Sequence, residues 1–286
     1  MLKVIKQARA AFALLNPEEV RHRVNRAVTF GLVAADDHSY GQMEEFLIPP
    51  NAPAEQREDL SRLVFRAGDR DVPDKVDLVL YQDGIPGPQG TYMFHRDQPE
   101  KVISDIVREN EDLALALARR YPAFRKPVLR RTIQSIAREN AFFAVATALP
   151  DVIPSLPELP WAFGEFASDT AFMTANQVRM AFLIAAACGK EVGYTQQKAE
   201  IAGITAGAFG WRAIARELAG KIPFGGGLIP KGAIAYAVTY CIGKGLARVH
   251  QSGKPYSRAE RREVYQQAFA RGKTVAQAIT AGQQPQ

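Results

Sequence analysis

KVDLVLYQD, residues 75–83, decides the fold of the N-terminal half. From Val76 to Leu80 it is apolar apart from Asp77. A strand with one wet face alternates apolar and polar residues, whereas a nearly continuous apolar centre predicts burial on both faces, as in a parallel sheet covered by helices. Upstream, AVTFGLVA (27–34) is short, β-branched and apolar, and it runs out into Ala35-Asp36-Asp37-His38-Ser39. Downstream, a Gly/Pro turn over Gly84 to Gly90 leads to a third strand, TYMFHR (91–96). Helical patterns fall between and after these strands. They cover Tyr40 to Ile48, then Glu55 to Ala67 with Leu60, Leu63 and Val64 on one face, and a stretch from Pro99 through Ile106 and Leu117 to Arg120. Alternating strand and helix predict a small α/β domain over residues 1–121.

Ligands of such sheets sit beyond the carboxyl ends of the strands. This chain places Asp36, Asp37 and His38 at one end, Asp83 at a second, and His95 with Asp97 at a third. Carboxylates and imidazoles in that mixture suit a divalent ion or a phosphate–metal site, provided the ends converge; ordinary turn polarity is the alternative. A phosphate loop needs glycines, a lysine and a hydroxyl, and none of that set follows AVTFGLVA. His95-Arg96-Asp97 matches the kinase catalytic triplet in letters only, because no glycine-rich loop precedes it and no asparagine follows five residues later.

Composition fits a folded chain: 286 residues, 47% apolar, 23% charged, with a formal charge of +6. Cys188 and Cys241 both lie in apolar runs, which reads as small buried residues in a reducing cytoplasm rather than a disulfide or zinc framework. The N-terminus, MLKVIKQARAAFALLNPEE, lacks the long apolar core of a signal peptide and is expected to form an amphipathic helix ending near Asn16. Basic residues cluster at Arg21, Arg23 and Arg26, and again from Arg119 to Arg138 with no acid between Leu113 and Arg138. A further cluster spans Lys254 to Lys273. Solvated helix faces explain such clusters, as does an acidic lipid surface; aromatic residues are too sparse among them to favour nucleic acid.

The C-terminal half, residues 122–281, is expected to be an all-α, glycine-rich helical domain with a disordered tail at 282–286, which makes the chain α+β overall. Pro122 and Pro127 mark its start, and prolines at 150, 154, 157 and 160 stop its first helix. The helix from about Ser168 to Cys188 is apolar all round beyond Val178 apart from Arg179, so it is either central to a bundle or inserted in lipid. Thr195 is expected to cap a helix reaching Ala219, in which Gly203 and Gly207 would admit a close neighbour. The run Gly225-Gly226-Gly227 reads as a turn. Lys231 to Val249 sorts into stripes four residues apart. Ile234, Val238, Ile242 and Leu246 form a ridge, flanked by Ala233, Ala237, Cys241 and Gly245 on one side and Ala235, Thr239, Gly243 and Ala247 on the other. The last face carries Gly232, Tyr236, Tyr240, Lys244 and Arg248, suited to a lipid–water interface or a polar neighbour. That helix is too short in apolar residues for a plain span. Ser257 and Glu260 form a capping box for a last, basic helix through Phe269, ending at Gly272.

The order of features in GAFGWRAIARELAGKIPFGGGLIPKGAIAYAVTYCIGKGLARV resembles the bacterial domain-of-unknown-function family 697. The likeness covers Ala141 to Val249: the apolar helix Val178–Cys188, Arg212 with Arg216, the turn Lys221–Gly227, and the helix Ala235–Lys244. Members accompany Era-like GTPase domains or occur in predicted inner-membrane proteins, so the resemblance implies a membrane-associated module and a degenerate GTPase-like N-terminal half. Neither phosphate nor base recognition carries over, since AADDHSYG stands where a phosphate loop belongs and FHRD where Asn-Lys-x-Asp is needed.

Three functions are expected from these residues. The first is a non-enzymatic protein without a cofactor, cytoplasmic or peripheral at the inner membrane, whose helical module docks on a membrane surface or a helical partner while the α/β domain regulates or recruits. The second is a nucleotide- or metal-responsive switch or hydrolase using Asp36, Asp37, His38 and Asp83. The third is a homo-oligomeric structural protein, indicated by the small-residue grooves.

Overall fold

A computed structural model describes residues 16–69, 72–147, 169–206 and 227–282. These hold a four-stranded parallel sheet and ten helices, an α+β architecture with a helical C-terminal part. The described chain divides into two compact units, one made of Arg21–Arg130 with Ala186–Lys190 and the other of the remaining residues.

The first unit is built on the sheet. Strands β1 (Phe30–Val33), β2 (Val64–Arg66), β3 (Leu78–Gln82) and β4 (Tyr92–Phe94) lie in the order β2-β1-β3-β4. All neighbours are parallel, with Phe30 opposite both Val64 and Leu78, and Leu80 opposite Tyr92. Phe30, Leu32, Leu78 and Leu80 are buried on one face; on the other Gly31 is buried but Val79 and Tyr81 are half-buried, so β3 does not have the burial on both faces expected of Val76–Leu80. Around the sheet run α1 (Pro17–Asn25), α2 (Asp37–Leu47), α3 (Ala54–Ser61), α4 (Pro99–Glu109) and α5 (Ala114–Arg120), followed by α6 (Pro122–Ala146), which continues into the second unit. Tyr121 anchors the sheet. Its ring meets Phe30 edge-on at 4.9 Å, and its hydroxyl donates to the Val28 carbonyl at 2.7 Å.

Several expectations change here. The helix predicted over Glu55–Ala67 stops at Ser61, and Val64–Arg66 instead forms β2, tied to β1 by Phe30 N–H to Leu63 O and Ala67 N–H to Leu32 O. Leu60, Leu63 and Val64 fit a helical period, but a short β-branched and aromatic run fits both periods, and pairing with β1 decides it. The stretch Pro99–Arg120 is two helices, broken where the Asn110 side chain donates to the Ile106 carbonyl. The basic cluster over Arg119–Arg125 is largely structural. Arg120 donates to the Asn25 and Arg26 carbonyls at the end of α1, Arg125 to the Ala118 and Ala187 carbonyls, and Arg119 to the Lys190 carbonyl. These guanidiniums satisfy the carbonyls that helix C-termini leave without partners.

The second unit contains the rest of α6, then α7 (Asp169–Ala187), α8 (Lys198–Ala206), α9 (Leu228–Ser252) and α10 (Arg258–Thr280). From Val178 to Ala187, α7 is buried on every side, as a central helix must be. Helix α8 starts at Lys198, so Thr195 is not its cap; Gln197 folds back to accept the Gly193 N–H with its side chain, and the expected end at Ala219 lies outside the described residues. Helices α9 and α10 form a hairpin. Gly253, at φ 69°, ends α9, and Ser257 with Glu260 caps α10 in the expected box. Gly272 does not stop α10, which runs on to Thr280.

Both small-residue stripes of α9 are wholly buried, whereas Ile234 and Val238 of the bulky ridge stay half-buried. A methyl added at Gly243 would stand 2.8 Å from Ile133 and Met180, and one at Gly232 would stand 2.7 Å from Val145. The grooves thus serve helix contacts within the chain. Between α6, α7 and α9 lies a buried polar seam. Asn176 donates to Asn140, Asn140 and Gln177 donate to the Thr239 hydroxyl, and nearby Arg179 pairs with Glu139. Cys188 is half-buried and Cys241 buried; burial pushes both thiols up, so neither is a reactive thiolate.

Candidate functional site

Strand order places the candidate site. All four strands run the same way, and parallel sheets take their ligands beyond the carboxyl ends of the strands. A cavity of about 420 Å³ lies beyond the ends of β3 and β4, beside α2. Helix α2 contributes Ser39, Gln42 and Met43, the end of β3 contributes Gln82 and Asp83, and the end of β4 contributes Phe94 and the loop His95–Gln98, with Lys101 from α4. Met43 and Phe94 are buried and supply an apolar floor, the latter braced by the Phe46 ring at 5.0 Å. Gln82 fixes the edge by accepting the Ala35 N–H at 2.8 Å, which ties the ends of β1 and β3 together.

Of the three strand ends expected to meet, two share this cavity. Asp83 Oδ2 lies 3.0 Å from His95 Nδ1, so the carboxylate orients the imidazole, and Asp97 stands two residues further along the loop. The end of β1 is used otherwise. Asp36 caps α2 by accepting the Ser39 N–H at 2.7 Å, and that hydrogen bond, with one to the Ser39 side chain, holds its carboxyl below the usual range. Asp37 pairs with Arg66, whose guanidinium also lies 5.3 Å above the Tyr40 ring. His38 meets Gln42 at 2.6 Å and reaches the cavity only through that residue. Asp36, Asp37 and His38 therefore do not join Asp83 in one ligand set, and no group of three His, Cys, Asp or Glu side chains among the described residues could hold a metal ion. Arg96 and Lys101 line the same cavity, yet the sequence does not mark them as site residues, because Arg96 stands in a triplet that lacks a kinase context and Lys101 in an ordinary helix turn.

The aromatic and basic face of α9 is divided by depth. Tyr236 is 1% exposed, packed among Ala137, Ala141, Val145 and Ala276, so it belongs to the core rather than to a surface. Burial raises its phenol. Tyr240, Lys244 and Arg248 are half-buried at the outer side. Arg271 of α10 covers the Tyr240 ring at 5.9 Å, Arg248 lies 4.4 Å above Tyr256 and bonds Glu260, and Lys273 lies 5.1 Å from Phe269. Gly203 is half-buried on α8, and Gly207 lies outside the described residues, as do the turn Lys221–Gly226 and the four-proline connection. No helix of the described residues is long and apolar enough to cross a membrane.

Compared with family models, curated proteins and solved structures, the chain matches none. The likeness to family 697 thus rests on the residues of the chain alone.

Proposed function

We propose that this chain is a non-enzymatic docking protein whose helical unit binds an anionic membrane surface through the outer half of α9 and through α10, with the α/β unit as its regulatory partner. The observation that carries this is charge. Residues 244–280 hold eight cations (Lys244, Arg248, Lys254, Arg258, Arg261, Arg262, Arg271 and Lys273) against two acids, Glu260 and Glu263, an excess of six that equals the net charge of the whole chain. Tyr240, Tyr256 and Phe269 lie among these cations, which suits the headgroup level, where amphipathic rings sit. A membrane-spanning route is not required.

Co-sedimentation of the full chain with phosphatidylglycerol vesicles and with phosphatidylcholine vesicles tests this. The chain should pellet with the anionic vesicles, release as salt rises, and lose about fivefold in partitioning for each cation removed at Lys244, Arg271 or Lys273. No pelleting with anionic vesicles at low salt would end the proposal.

A further inference from the structure

We propose that the crevice at the carboxyl ends of β3 and β4 binds a small phosphomonoester of a sugar or nucleoside. Its cavity, about 420 Å³, is within the usual range of roughly 300–1,000 Å³ for small-molecule sites and lies where parallel sheets place their ligands. The side chains then select the class.

Cations come first. Arg96 follows β4 by two residues and Lys101 sits in the first turn of α4, and neither has an ion-pair partner among the described residues. The backbone of that turn adds little, since Pro99 has no N–H and the Lys101 N–H donates to the Gln98 carbonyl at 3.1 Å, so the two side chains carry the positive charge. A phosphoryl group placed there would gain two charge-assisted contacts. No lysine or arginine lines the cavity from α2, which contributes Ser39, Gln42 and Met43, so the phosphoryl end belongs beside Arg96 and Lys101.

The other end of the ligand must suit acceptors. Asp97 makes no ion pair within the described residues, and Asp83 is held against His95, which leaves carboxylate oxygens of both to accept from hydroxyls. Ser39 and Gln42 add a hydroxyl and an amide from α2, and Met43 with Phe94 provides the apolar floor for a ring face. Inorganic phosphate would satisfy only the cations, and a free sugar only the acceptors. A phosphorylated sugar or nucleoside satisfies both. None of these side chains lies in α9 or α10, so this proposal and the docking proposal stand or fall separately.

Isothermal titration calorimetry on the full chain, with ribose 5-phosphate, adenosine 5′-monophosphate, inorganic phosphate and ribose as probes, tests it. At least one ester should bind saturably, inorganic phosphate more weakly and ribose weakest. Arg96→Ala with Lys101→Ala should weaken the ester by about a hundredfold, since each lost charge-assisted bond is worth about tenfold or more. Asp97→Asn should weaken the ester and leave inorganic phosphate unchanged. Both cations and Asp97 are exposed, so unaltered thermal unfolding of the variants is expected and is measured alongside. Lys244→Glu with Arg271→Glu should bind the ester as the native chain does. The proposal is overturned if neither ester gives saturable heat at millimolar concentration, if ribose binds as tightly as its phosphate, or if the double alanine variant binds unchanged.

Discussion

Gly272 of α10 lies directly against the backbone of Ala233 in α9: a methyl group at Gly272 would stand 2.8 Å from the Ala233 carbonyl oxygen and 3.0 Å from its Cα. No side-chain rotation relieves a clash with backbone. Helix propensity alone favours Gly272→Ala by about 1 kcal/mol. The packing reverses that sign, and the substitution should destabilise the helical unit by about 1–3 kcal/mol, seen as a lower urea midpoint. Gly41, inside α2 with nothing within 4 Å of an added Cβ, is the control. Gly41→Ala should stabilise by about 0.4–1 kcal/mol. A stabilised Gly272→Ala chain would mean that the two helices do not approach as described.

Asp77 joins the start of β3 to the residues before β1. It accepts from the Thr29 N–H at 2.9 Å, the Thr29 hydroxyl at 3.0 Å and the Arg26 guanidinium at 2.8 Å, while its own N–H donates to the Thr29 hydroxyl. Partial burial works to raise its pKa, but these hydrogen bonds and the Arg26 charge outweigh it and leave the carboxyl below its ordinary value. A carboxyl depressed in the folded state stabilises above its unfolded pKa, and that contribution is lost as pH falls through the folded value. Asp77→Asn should therefore cost about 1 kcal/mol near neutral pH, allowing for residual solvent screening. The difference from the native chain should close below the usual carboxylate range. A gap that stays constant with pH in denaturant titrations would exclude the ionised Asp77 as its source.

The parts of the fold legible in the sequence are those whose pattern admits one period. The runs Val76–Leu80 and Val28–Val33 are too apolar for an exposed strand, and their parts from Leu78 and from Phe30 lie in a parallel sheet. Helix α1 carries its start signals openly, with Asn16 accepting the Glu18 N–H and Pro17 at the first position, yet Asn16 reads equally as the end of a preceding helix. Gly272 shows the same ambiguity. A glycine late in a helical pattern marks either a stop or a close approach, and only the neighbouring backbone of Ala233 separates them.

The site was half legible for a related reason. Acids and histidines at strand ends are visible in one dimension, but which ends share a crevice depends on strand order. With β4 beside β3, Asp83 and His95 meet at 3.0 Å. The end of β1 turns its carboxylates to local work instead, Asp36 to a helix cap and Asp37 to Arg66, a residue of a strand not foreseen. Tyr236 shared a stripe with Lys244, yet the packing of α10 across its end of α9 buries it.

The polar seam of the helical unit gives a prediction that separates shape from hydrogen bonding. Asn176 Nδ2 donates to Asn140 Oδ1 at 2.8 Å, and Asn140 Nδ2 donates to the Thr239 hydroxyl at 2.8 Å, with all three residues buried. Replacing Asn140 by leucine removes the acceptor of Asn176 and leaves a desolvated amide, at a cost of about 1–3 kcal/mol. Asn176→Leu should cost a similar amount by leaving the Asn140 oxygen without its donor. With both replaced, that bond no longer leaves an orphan on either side, so the double variant should lose less than the sum of the two single losses, by about 1 kcal/mol or more. Urea unfolding of the four chains in the cycle measures this coupling. Strictly additive losses would mean that the two amides act independently, and that apolar packing rather than their mutual bond holds α6 against α7.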